Sequence, residues 1–170
     1  VLLALAEAGG ALLFHGARQY AAHRRMESLI AESQHWLNLV LDGRYEEVYG
    51  RLAQENPRLF PDTAEAFQRW RSHVHDHLHS GGDYYGRRLE FMEIREAAGA
   101  EDSASDEGQG HEQPRLDEGR VVHRFRFKEG GVDLLLFFVW RDDRWQLVNL
   151  EPRMAMIVPE PDERPKKRFE

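Results

Sequence analysis

The chain contains no cysteine. Disulfide staples, thiolate metal sites and thiol nucleophiles are therefore excluded, although no compartment is identified, since many exported bacterial proteins also lack cysteine. No apolar run reaches the roughly 20 residues of a full membrane span. No basic patch or stripe is present, which argues against nucleic acid as a partner. The sequence also lacks a G-x-S-x-G elbow, an H-E-x-x-H pair, a phosphate loop and a dinucleotide fingerprint. Gly81-Gly82 and Gly130-Gly131 read as turn glycines and not as phosphate cradles. There are no internal repeats, and no cofactor is expected.

What is present fits one folded domain with flexible ends. At 170 residues, with 41% hydrophobic and 31% charged, the chain is long and apolar enough to bury a core without staples. The net charge is −7, but the acid is local. Residues 97–119 hold seven acidic residues against one basic residue, so the remainder is close to neutral. The basic run 166–168 stands among prolines at the far end and reads as a solvated tail.

The N-terminal segment, residues 1–25, begins with a strongly apolar stretch interrupted by Glu7 and followed by His15. It has two readings. One is the rear part of a membrane anchor or export signal, attaching the chain through residues 1–16. The other is a soluble helix packed on the domain. If the run spans a membrane, Arg18, Arg24 and Arg25 after it favour a cytoplasmic domain.

Further on, Met26, Leu29, Ile30, Trp36, Leu37 and Val40 recur at helical spacing until Asp42-Gly43. Tyr45, Val48, Tyr49 and Leu52 form the buried face of a second helix, which Asn56-Pro57 ends. A third starts at Asp62 or Thr63, with Glu65 completing a capping box, and carries Phe67, Trp70, Val74 and Leu78 as its core stripe. The period then changes. Residues 87–96 read as a strand in which Leu89 and Phe91 share a face opposite Met92 and Ile94, so a bulge is expected near Phe91-Met92. Residues 97–119 are too polar to offset their ordering entropy and are expected as a disordered hairpin loop. Residues 120–128 alternate: Val121, His123, Phe125 and Phe127 point one way, and Arg124, Arg126 and Lys128 the other. Residues 132–140 are nearly all apolar, the mark of a central strand covered on both faces. Residues 145–151 form the last strand, which Pro152 should end, leaving 153–170 as a tail. Helices followed by a meander of strands predict an α+β domain over 26–152, with three N-terminal helices packed on a curved antiparallel sheet.

Three features stand together: the turn-and-helix Leu41–Tyr49 (LDGRYEEVY), a third helix closing on glycines, and strands ending in Trp140–Asn149 (WRDDRWQLVN). This resembles the NTF2-like, cystatin-like cone superfamily, and within it the small bacterial domains of exported or membrane-tethered proteins. The usual Gly-x-Trp close is replaced here by Asp143-Arg144-Trp145. The resemblance implies a cone with a pocket at its open end. It also implies a membrane-associated or extracytoplasmic setting in preference to a plain cytoplasmic one. The superfamily spans enzymes, ligand-binding modules and dimerisation platforms, so fold alone leaves function open. No inward His–Asp pair maps onto this chain, and no catalytic residue is carried over.

Two candidate sites follow. Trp36, Tyr49, Trp70, Phe91, His123, Phe137 and Asn149 are candidates to line a pocket for a small apolar ligand; core packing is the competing reading. His123, Asn149 and Glu151 are the polar groups expected to face inward. His123, on an apolar face, is the best acid–base candidate for a small lyase, isomerase or hydrolase. The second site is the run His73, His75, His77 and His79. It contains two i, i+4 pairs on different sides of a helix, each able to offer two ligands to a metal that needs more. A plain exposed helix end carrying imidazoles is the alternative. A protein partner, or a homodimer through the open sheet face, is also compatible with the pattern.

Overall fold

The computed structural model describes residues 2–79, 81–95 and 117–155, with side chains from residue 20 onward. It contains three helices, α1 (Leu2–Leu41), α2 (Tyr45–Glu55) and α3 (Ala64–His79). They precede four strands, β1 (Tyr84–Arg95), β2 (Glu118–Phe127), β3 (Gly130–Arg141) and β4 (Arg144–Ala155). The sheet is an open antiparallel meander in the order β1-β2-β3-β4. The α+β expectation therefore holds.

The helices form where their apolar stripes dictate. Tyr45, Val48, Tyr49 and Leu52 are the buried face of α2. Thr63 caps α3, its Oγ1 accepting the Ala66 amide at 3.2 Å. On α3, Val74 and Leu78 are sealed, while Phe67 and Trp70 are half-buried. The first helix runs unbroken from Leu2, so the apolar N-terminal run and the stripe from Met26 onward belong to one helix. Among the described residues no helix is long and apolar enough to cross a membrane.

The helices lie on one face of the sheet. The core between them holds Leu29, Leu37, Val40, Val48 and Leu52 from α1 and α2, with Val121, Phe125, Leu134, Leu136, Phe138, Leu147 and Leu150 from the sheet. At one end Trp145 Nε1 donates to the Arg25 carbonyl at 3.0 Å, and Arg25 pairs with Asp117 at 2.6 Å, fastening α1 across the strands. Gly119 permits this approach. A Cβ there would lie 2.8 Å from Leu29 Cδ1 and 3.1 Å from Trp145.

Three strand expectations need correction. The bulge in β1 falls one residue earlier, between Leu89 and Phe91, so Leu89, Met92 and Ile94 face the helices and Phe91 faces away. Strand β2 begins at Glu118, inside the stretch expected to be a loop, because Glu118 and Gly119 pair with Val139 and Phe138. The rest of that loop, 97–116, lies outside the described residues, as does the tail from 156. Pro152 does not end β4, which continues to Ala155. As an edge strand, β4 tolerates a residue without an amide hydrogen.

Candidate functional site

The seven pocket candidates separate into three groups. Trp36, Tyr49 and Trp70 belong to the helical layer. Tyr49 is buried, with its ring 5.4 Å from those of Phe67 and Trp70 and its hydroxyl donating to the Pro61 carbonyl at 2.8 Å. The indole Nε1 groups of Trp36 and Trp70 are buried without an acceptor among the described residues. His123 is alone on the helix-facing side of the sheet. Phe91, Phe137 and Asn149 lie on the opposite, outer side.

His123 is 4% exposed. Its Nε2 lies 3.2 Å from Ser33 Oγ, and Ser33 Oγ donates to the Ile30 carbonyl at 2.8 Å. With the serine proton committed to that carbonyl, Ser33 accepts, so the network assigns the imidazole proton to Nε2. Burial pushes the ring pKa down to about 4, and the nearby Arg87 charge adds to the effect. His123 is therefore neutral near pH 7. In composition the pair resembles a nucleophile and its base. In geometry it is a buried polar contact, because Ser33 is fully sealed and its proton points away from the ring.

Asn149 and Glu151, expected to face inward, face outward. Asn149 pairs with Phe137 and Glu151 with Leu135, and Asn149 Nδ2 donates to Glu151 at 2.8 Å. The cause is a bulge: Phe137 opposes Asn149 but Phe138 opposes Leu147, so Val148 is the extra residue. Each side chain after it changes face.

Around this bulge the outer side opens into a cleft of about 300 Å³. Glu93 and Arg95 of β1, Glu118 to Arg120 of β2, Phe137 to Val139 of β3, and Val148 and Asn149 of β4 line it. Arg120 is its central cation. Its guanidinium carbon lies 5.7 Å from the ring centroids of both Phe91 and Phe137, one from each neighbouring strand. Arg120 Nε is buried with no hydrogen-bond acceptor, and among the described residues no carboxylate pairs with the side chain. Its cross-strand neighbour Glu93 is held instead by Arg95 Nε at 3.0 Å. Farther along the same face, Arg124 is saturated, bonding Asp133 at 2.6 and 2.8 Å and Glu90 at 2.7 Å.

A second hollow, of about 360 Å³, lies at the α1–α2 turn. Its charges are largely satisfied locally, since Arg44 pairs with Glu47 and Arg71 lies 6.0 Å over the Tyr45 ring.

The histidines stand near the end of α3 as two i, i+4 pairs. The His73 and His77 rings are 4.3 Å apart edge to face, and those of His75 and His79 are stacked at 4.0 Å. His77 and His79 each donate Nδ1–H to the carbonyl four residues earlier, at 2.8 Å, which sets their tautomer. Among the described residues no three His, Asp or Glu side chains gather as a metal site, so each pair supplies two donors by itself.

Sequence reasoning named Phe91, Phe137 and Asn149 but missed Arg120, which reads as one of several alternating strand arginines. Its distinction appears only when three strands are in register. No family model, curated protein or solved structure matches the chain, so the chemistry of the site carries the functional argument.

Proposed function

We propose that this chain is a non-catalytic binding domain of the NTF2-like type that takes its ligand or partner on the outer side of the sheet. The element order supports the family reading: three helices precede a four-stranded antiparallel meander whose one face they cover. The observation that carries the functional reading is the contrast between two polar groups. His123 is sealed, neutral and bonded to a buried serine. Arg120 lines a cleft and has no carboxylate partner among the described residues. Acid–base catalysis needs a proton-transfer group within reach of a substrate, and among the described residues the buried histidine of the interior is sealed from solvent. Recognition needs a few unsatisfied polar groups set among apolar ones, and the cleft provides them.

The test is amide-shift mapping of the full isotope-labelled chain against a mixture of small aromatic and aliphatic fragments. The expected perturbations cluster on Arg120, Phe137, Val139 and Asn149. Perturbations centred on Ser33, Trp36 and His123 would return the binding site to the interior and overturn the reading.

A further inference from the structure

The ligand class of the outer cleft can be derived from the groups around Arg120, on the footing that the cleft is the binding site as proposed above. We infer that it binds a small organic monocarboxylate with an apolar body, the carboxylate pairing with Arg120 and the body lying against Phe137, Val139 and Val148.

Three observations support this. First, Arg120 is a built cation and not a loose surface arginine. Its guanidinium carbon lies 5.7 Å from the rings of both Phe91 and Phe137, and its planar fork suits a carboxylate. Its Nε is sealed and has no acceptor, so a carboxylate in the cleft would pair with the terminal guanidinium nitrogens, in a charge-assisted contact. The contrast with Arg124 on the same strand face, satisfied by two carboxylates, shows what Arg120 lacks.

Second, the size is right for a small molecule. A cleft of about 300 Å³ is at the lower end of small-ligand sites. Phe137, Val139 and Val148 line it with apolar surface beside the cation.

Third, the surrounding acids limit the charge. Glu93 and Glu118 also line the cleft. Arg95 bonds Glu93 directly and acts on its cross-strand neighbour Glu118 only through space, so Glu118 is less fully compensated than Glu93. One added negative charge meets Arg120; a second would face Glu118. Dicarboxylates and phosphate esters are thus disfavoured, and a monoanion fits.

The experiment titrates the full chain with 3-phenylpropionate, with the neutral 3-phenylpropanol, and with phenyl phosphate, following backbone amides. Saturable shifts at Gly119, Arg120, Val139 and Asn149 are expected with 3-phenylpropionate, and binding about tenfold or more weaker with either of the other two. Arg120→Met should remove the preference for the acid over the alcohol, leaving both weak. Val139→Trp should fill the cleft and abolish binding with the charge intact, which guards against an Arg120 variant that misfolds. Equal binding of acid and alcohol, or an unchanged preference in Arg120→Met, would overturn carboxylate recognition while leaving the cleft as a binding site. Tighter binding of phenyl phosphate would overturn the monoanion limit. Absence of any cleft shift with all three compounds would overturn the inference, and fragment perturbations around His123 would then overturn the binding-face reading too.

Discussion

The two sides of one sheet are built from alternate residues of the same strands, yet they perform different physical work. On the side facing the helices, Val121, Phe125, Leu134 and Leu136 are completely buried, and His123 between them is kept neutral. On the other side, Arg120, Arg124, Asp133 and Glu151 alternate with Val122, Leu135 and Phe137, and a cleft remains open. Apolar burial dominates the first side and charge placement the second. On the proposed reading stability and recognition are separable: substitutions on the inner side should destabilise the chain, and those on the outer side should change what it binds.

The largest break in this comparison comes from truncating matched aromatics on the two sides. Phe125→Ala should cost about 3–5 kcal/mol, since the ring is wholly buried. Phe137→Ala, on the half-exposed outer side, should cost no more than about 1–2 kcal/mol. Urea unfolding of both variants checks this, and equal losses would erase the asymmetry.

The next effect comes from His123 and depends on pH. Its folded pKa of about 4 lies below the ordinary 6.5, so the fold favours the neutral ring. That contribution is fully present above pH 6.5. It is lost as pH falls toward 4, where the unfolded chain takes up a proton that the folded chain refuses. The full loss is at most about 3 kcal/mol. His123→Leu should flatten the stability profile between pH 6.5 and 4 relative to the wild type. Parallel profiles over that interval would show that burial does not control the ring.

The smallest effect sharpens the outer side. Arg124→Met removes a cation bonded to Asp133 and Glu90 but still partly exposed, and should cost about 1 kcal/mol. The difference should shrink in about 1 M salt, where exposed charge pairs are screened. A salt-independent loss would instead point to the packing of the arginine stem.

Much of the architecture was legible because periodicity is a local signal. The stripe Tyr45, Val48, Tyr49, Leu52 identifies α2, and the alternation from Val121 to Phe127 identifies β2. Bulges are not local in that sense. Trp145 and Leu147 face the helices, so counting by twos carries Asn149 and Glu151 inward; the unpaired Val148 reverses that parity, and the helix-facing residue becomes Leu150. The same reversal separates Leu89 from Phe91 in β1. The cleft was illegible for a related reason. Phe91, Arg120 and Phe137 come from three strands, and their meeting depends on two pairing registers, one of them across the long stretch between β1 and β2.

Gly119 has a consequence for both sides at once. It lines the outer cleft, and on its other side a Cβ would meet Leu29 at 2.8 Å and Trp145 at 3.1 Å. At that point the wall between them is one backbone thick, with no side chain to absorb displacement. The far surface of that partition is Leu29 of α1 and Trp145 of β4. A side chain added at Gly119 would therefore press on Leu29, within the 40-residue α1.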